Sequence, residues 1–177
     1  GGVSSWARGV SADGNVVVGV SPNVTGRARA FRWTSASGML SLGTLGGAFS
    51  EARGVSADGS VVVGVSTDAA EVFHAFRWTT SDGMHSLGTL GGNSAGAYGV
   101  SADGLVVVGA SRTLQYSVLA FRWAEAGGMQ NLGTLGGGAN NRSFGYAISA
   151  NGEAIAGRCI LFPVGEVRAF RWTSAGM

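Results

Sequence analysis

A chain of 177 residues with 45% hydrophobic and 12% charged residues is too apolar to remain disordered, and its apolar runs are too short for a membrane-crossing helix. Its basic residues are all Arg, scattered around a net charge of +2, which leaves no basic stripe for nucleic acid, and the single Cys159 excludes an internal disulfide. Thirty-two Gly against 2 Pro, between short Val, Phe, Trp and Leu runs, indicate an all-β protein with many tight turns.

The chain opens on Gly1-Gly2, and the pair recurs at Gly46-Gly47, Gly91-Gly92 and Gly136-Gly137, an unbroken spacing of 45 residues. Four repeats follow, 1–45, 46–90, 91–135 and 136–177, read together as one domain. Each is expected to hold four short strands, A to D. Strand A is of the ARGVS type and runs into GVSADG at 9–14, 54–59 and 99–104, or AISANG at 147–152. There Asp13-Gly14, Asp58-Gly59, Asp103-Gly104 and Asn151-Gly152 are hairpin turns, since Asx-Gly tolerates positive φ. Strand B, VVVGVS or a relative, is therefore antiparallel to A. Strand C is AFRW, closing at Trp33, Trp78, Trp123 and Trp172. A Ser/Gly-rich turn ends in Gly-Met, as at Gly38-Met39 and Gly83-Met84, and SLGTL or NLGTL is strand D. The fourth copy carries three extra residues around Asn140 to Tyr146 and reaches Met177 before any LGTL. Its last strand is expected to be missing, with the exposed edge covered by further repeats or by another copy of the chain, so that the protein self-associates.

A period of 40 to 50 residues made of four antiparallel strands is the spacing of a propeller blade, whereas β-helix coils are shorter and lack hairpins. The expected fold is an all-β, β-propeller-type assembly of four antiparallel repeats with an incomplete last blade. Alternation puts Phe31 and Trp33 on one face of strand C and Ala30 and Arg32 on the other, so both faces pack. The Trp residues are read as packing between blades rather than as sugar platforms. Arg32, Arg77, Arg122 and Arg171 occur in every copy, as a contact between blades requires, with strand carbonyls or a turn Asp as partners. Small Gly, Val and Ser on strand A suit a crowded axis.

HAFRW at 74–78, the Gly-Met turn, LGTLGG at 87–92 and GVSADG at 99–104 resemble the HAF repeat of bacterial extracellular proteins. The resemblance covers nearly the whole chain and implies a secreted or cell-surface location. It brings no catalytic residue with it.

The A-B and C-D connections are short and uniform, while the B-C and D-A connections vary in length and content. In an antiparallel meander the variable loops share one rim, and variable loops on a rigid scaffold carry function. The candidate ligand-binding side chains on that rim are Trp6, Arg27, Phe49, Glu51, Asp68, Asn93, Tyr98, Tyr116, Asn141 and Arg142, a mixture suited to a glycan or a protein surface. Catalysis is poorly supported. His74 and His85 neighbour no nucleophile motif, and pairing Glu51 with Asp68 or Glu71 in a glycosidase would need a geometry that spacing cannot supply. LGTLGG lacks the following helix of a phosphate loop, and the Asx-Gly turns lack spaced acidic ligands, so no metal or cofactor is expected. The reading is a noncatalytic extracellular binding module, with a structural scaffold that self-associates as the alternative and a polysaccharide-active enzyme as a third.

Overall fold

The computed structural model describes residues 4–138 and 140–177; the Gly1-Gly2 start of the first repeat lies outside them. The described residues form four antiparallel sheets and no helix. The first sheet contains β1 (Trp6–Val10), β2 (Val17–Pro22), β3 (Ala28–Thr34) and β4 (Gly38–Ser41). The second contains β5 (Gly46–Val55), β6 (Val62–Asp68), β7 (Phe73–Thr79) and β8 (Gly83–Ser86). The third has β9 (Gly91–Val100), β10 (Val106–Thr113), β11 (Val118–Ala124) and β12 (Gly128–Asn131). The last has three strands, β13 (Arg142–Ile148), β14 (Ile155–Leu161) and β15 (Glu166–Trp172). Strand order in each sheet follows the chain. The first strands, β1, β5, β9 and β13, pack one on the next and form the inner wall of a propeller.

The core lies between blades, and strand alternation decides which side chain faces which neighbour. Val62, Phe76 and Trp78 of the second blade face back onto Val16, Val18, Ala30 and Leu42 of the first. On the opposite face of the same sheet, Val61, Val63, Ala75 and Leu87 receive Val107 and Phe121 of the third blade. The third interface repeats the pattern, with Val108 and Ala120 against Ile155 and Phe170. Trp78 is 7% exposed in its interface, whereas Trp33, at the same position in the first blade with no described blade in front of it, is 38% exposed.

Strand D differs from the sequence expectation. The paired fourth strand is the Gly-Met segment itself, with Met39 opposite Trp33 and Met84 opposite Trp78. LGTL instead crosses from the outer edge of one blade to the inner edge of the next. Gly43 takes φ +77° there, a conformation that ends a strand, and the Leu45 amide donates to Ser66 Oγ of the following blade at 2.9 Å. The Leu90 amide repeats this with Ser111 Oγ at 2.9 Å, and the Leu135 amide meets Cys159 Sγ at 3.4 Å.

The A-B connections also differ in detail from a two-residue turn. In each, the amide of the serine before the loop donates to the carbonyl after it, Ser11 to Val16 and Ser56 to Val61, and the amide after the loop returns to the serine Oγ, so four residues span the gap. Only the glycine takes positive φ, and the Asx side chain serves as an acceptor. Each loop also bonds the next blade. The Ala12 amide donates to the Ala57 carbonyl (2.9 Å), Ala57 to Ala102 (3.0 Å) and Ala102 to Ala150 (3.0 Å). Arg32 Nε reaches the Gly59 carbonyl at 3.0 Å and Arg77 Nε the Gly104 carbonyl at 3.4 Å. In the first two blades the repeated Arg therefore bridges to the next blade through a turn carbonyl and not through the turn Asp.

Two outcomes follow for stability. Truncating a buried aromatic of this size costs about 3–5 kcal/mol, so Trp78→Ala should lower the unfolding free energy by that amount and Trp33→Ala by distinctly less, as measured by urea denaturation. Equal losses would contradict the packing between blades. Gly59 combines φ +73° with the Val16 side chain lying where a Cβ would stand, whereas Gly14 has φ +74° and open space around it. Gly14→Ala should cost about 1–2 kcal/mol of backbone strain and Gly59→Ala more. Equal penalties would show that the turn does not touch the preceding blade.

Candidate functional site

Each first strand carries a β-bulge, between Ala7 and Gly9 in β1, Ala52 and Gly54 in β5, Ala97 and Gly99 in β9, and Gly145 and Ala147 in β13. A bulge inserts one residue and re-aims its side chain. The bulged residues are Arg8, Arg53, Tyr98 and Tyr146, all large, set in an otherwise constant frame. They and their neighbours form a ladder along the inner wall. Arg8 Nε donates to Glu51 Oε1 at 2.9 Å, and Arg53 donates through Nε to Glu51 Oε2 at 3.0 Å. The Arg53 guanidinium lies over the Tyr98 ring at 5.0 Å. Tyr98 meets Tyr146 edge-to-face at 5.3 Å, Tyr146 stacks on Phe144 at 6.2 Å, and Arg158 lies over Phe144 at 5.1 Å.

The inner wall is thus not lined by small residues alone. The glycines of strand A serve the contacts between strands: Gly9 sits where a Cβ would stand 3.5 Å from the Arg53 carbonyl, and Gly54 3.3 Å from that of Tyr98. They bring adjacent blades close enough for the large neighbouring side chains to touch.

Of the residues expected to bind ligand, the structure brings Glu51 and Tyr98 together through Arg53. Phe49 packs edge-to-face on Phe73 at 5.8 Å. Trp6, Arg27, Asn93 and Tyr116 are exposed, on β1, the first B-C loop, β9 and the third B-C loop. Asp68, Asn141 and Arg142 have local work. Asp68 Oδ1 accepts the Ala70 and Val72 amides at 2.9 and 3.0 Å, closing its own loop, while Oδ2 meets His74 Nε2 at 2.9 Å. The Val72 amide first, then His74, holds the Asp68 carboxyl below its ordinary range. Buried Asn141 ties the Leu135 carbonyl to the Phe162 amide, and Arg142 lies over the Phe162 ring at 5.7 Å. Glu71 accepts the Ala48 amide at 2.9 Å. The carboxylates Glu51, Asp68 and Glu71 each have their own partners rather than facing one another.

A cavity of about 240 Å³ opens between the second and third blades on the loop rim and reaches the inner wall, lined by Arg53, Phe73, Gly96, Tyr98, Arg112 and Phe144 among others. A larger one, about 820 Å³, lies on the turn rim between the last two blades, where Arg122 and Arg171 flank Asn151, Gly152 and Trp172. Arg122, Ser149, Gly152, Arg171 and Trp172 of its lining recur in every repeat, and it borders the three-stranded blade, so the smaller, varied cavity is the better candidate. Sequence reasoning found Tyr98 here and missed Arg53, Gly96 and Arg112. The available signal was the R, R, Y, Y variation at positions 8, 53, 98 and 146, between Ala and Gly-Val in the first three copies and between Gly and Ala-Ile in the fourth.

The turn rim is uniform chemistry put to structural use. Ser56 Oγ donates to Asp58 Oδ1 at 2.6 Å, and the Ser60 amide donates to the same oxygen at 3.0 Å. The Ser56 hydroxyl foremost, then the Ser60 amide, lowers the Asp58 pKa to about 2. Asp13 and Asp103 are held low in the same way by Ser11 and Ser101. Asn151 takes the corresponding Ser149 hydroxyl bond at 2.6 Å with no charge.

No protein-family model and no curated protein matches the sequence. Among solved structures the fold is similar to TolB from Acinetobacter baumannii, with a TM-score of 0.68 and 16% identity over 98% of this chain. It is also similar to a putative TolB from Agrobacterium tumefaciens, with a TM-score of 0.65 and 14% identity over 93%. These are β-propeller proteins, and the present chain is a β-propeller-type array with a three-stranded last blade. It spans 42% and 64% of the length of those two chains.

Because the folded state holds the turn aspartates charged more tightly than the unfolded chain does, their contribution is complete above the ordinary value of 3.8 and is lost as pH falls below it, for Asp58 toward about 2. Replacing Asp13, Asp58 and Asp103 together by Asn, the residue of the fourth repeat, should flatten the fall in melting temperature between about pH 4 and 2 while leaving the fold intact at pH 7. An unchanged acid slope would mean that these turns do not set the acid response.

Proposed function

We propose that this chain is part of a noncatalytic extracellular or cell-surface binding module whose ligand, a glycan or a protein, sits where the loop rim meets the inner wall. The observation that carries this reading is the ladder of bulged positions. A constant frame holds Arg8, Arg53, Tyr98 and Tyr146 in the same place in four blades, and variation within a fixed geometry is how a scaffold displays recognition chemistry. The location rests on the resemblance to the HAF repeat. Against an enzyme stands the employment of the carboxylates, with Glu51 held by two guanidiniums and Asp68 closing a loop.

A second reading, a structural scaffold that associates through its blade faces, is favoured by a different observation. Trp33, Met39 and Val10 on the front of the first blade remain substantially exposed where the following blades bury or half-bury their counterparts. A further blade, or another copy of the chain, would cover them.

A glycan array and a panel of bacterial surface proteins distinguish these readings. Tyr98→Ala should weaken the captured ligand at least about tenfold, as interface aromatics typically do, and Leu105→Ala on the turn rim should leave it unchanged. Loss of binding on Leu105→Ala alone would move the site to the other rim. Turnover of a polysaccharide would replace the binding reading with an enzyme. Complete inertness, with a concentration-dependent increase in mass by light scattering, would favour the scaffold.

A further inference from the structure

The inner wall has one vacancy. At the position two residues before each bulge the blades carry Trp6, Glu51, Gly96 and Phe144, so the third blade alone contributes no side chain there. Arg53 turns its remaining nitrogen toward the gap, with Nη1 3.4 Å from where a Gly96 Cβ would stand. Its Nε and Nη2 are already committed to Glu51. Tyr98 and Phe144 wall the gap on the inner side and Phe73 on the rim side, and Arg112 stands exposed at its mouth with no carboxylate partner among the described residues. No acidic side chain lines it, and the one nearby carboxylate, Glu51, is neutralised by two guanidiniums. The site therefore offers positive charge at two points with the aromatic side chains of Tyr98 and Phe144 beside them.

We propose that this notch binds a carboxylate-bearing pyranose, one uronic acid residue of an acidic polysaccharide. This rests on the reading of the loop rim as the binding face and names its ligand class. The carboxylate takes the guanidinium of Arg112 and the open edge of Arg53, the pairing in which planar donor forks match a planar anion. The C–H face of the ring lies on Tyr98 and Phe144. A volume of about 240 Å³ falls below the roughly 300–1,000 Å³ of drug-sized pockets and suits one ring of a chain that continues into solvent. A peptide is the poorer fit. Peptides commonly add to a free strand edge, and the backbone around the notch is already paired, Gly96 with Ala110, Ser111 with Leu119 and Arg112 with Val118.

Isothermal titration of the whole chain with oligogalacturonate, oligoglucuronate and alginate oligomers, beside the methyl ester of the same oligogalacturonate, tests the proposal. At least one acid form should bind, more weakly as salt rises, and its uncharged counterpart should bind at least about tenfold more weakly. Arg112→Gln, a surface change, should weaken the acid form by about tenfold to a hundredfold, the usual worth of a charge-assisted hydrogen bond. Gly96→Phe rebuilds the side chain that the fourth blade carries and should abolish binding with an unchanged melting curve. Should that variant misfold, Arg112→Gln decides alone. Failure of every uronate to bind, equal binding of the methyl ester, or binding indifferent to Arg112→Gln would overturn the proposal. Those results would leave the loop-rim reading standing if Tyr98→Ala still abolished capture of another ligand, and would remove both if it did not. Displacement of a bound uronate by peptides ending in an aromatic carboxylate, at equal concentration, would reassign the notch to protein termini.

Discussion

The bond from one hairpin loop to the next is the constraint on which the rest of this structure depends. Ala12, Ala57 and Ala102 each spend their amide on the carbonyl of the matching alanine one blade further on, so the distance and angle between blades are set by a main-chain hydrogen bond. Such a bond is short and directional, and side-chain packing must conform to it. The Ser–Asx bonds beneath it hold each loop in the shape that presents the amide, and the Val, Phe and Trp layers fill the space that the fixed spacing leaves. With the turn rim set in this way, the opposite rim is free to vary. Loops as different as those at Asn23, Asp68 and Tyr116 are carried by the same three outer strands.

The inner wall shows what that freedom permits. Gly54 and Gly99 bring neighbouring first strands close enough for the bulged residues to touch, and from there side-chain chemistry alone decides the contact: an ion pair between Arg8 and Glu51, a cation over a ring between Arg53 and Tyr98, ring on ring between Tyr98 and Tyr146. The four blades are alike in backbone and unlike in what they offer the axis. Arg53 is the pivot, since it neutralises Glu51 on one side and supplies charge to the Gly96 gap on the other.

Much of this was legible in the sequence. The 45-residue period, the Asx-Gly hairpins and the division of strand C into a Phe/Trp face and an Ala/Arg face follow from side-chain alternation and turn chemistry, and each blade displays them. LGTL misleads because Leu and Thr suit a strand, whereas Gly43 at positive φ and the Leu45 bond into the next blade make the segment a crossing. The inner site was hidden for a different reason. Counting in twos along strand A fails at a bulge, which adds one residue to the count, so Tyr98 reads as a rim residue, Arg53 gives no sign of facing the axis, and the axis reads as lined by small residues. Arg112 and Gly96 carry no signal of their own; only the backbone that brings them together gives them a part in the site.

The alanine relay has a direction. Every amide in it points the same way around the axis, so the peptide dipoles add head to tail, and aligned hydrogen bonds of this kind polarise one another. Each blade meets its neighbours through one donating face and one accepting face, which makes the array a polar lattice in one dimension, with stability carried by nearest-neighbour terms. A whole repeat inserted in register restores both faces and leaves the lattice unbroken. A partial repeat that lacks its hairpin loop supplies neither face, and the relay stops there.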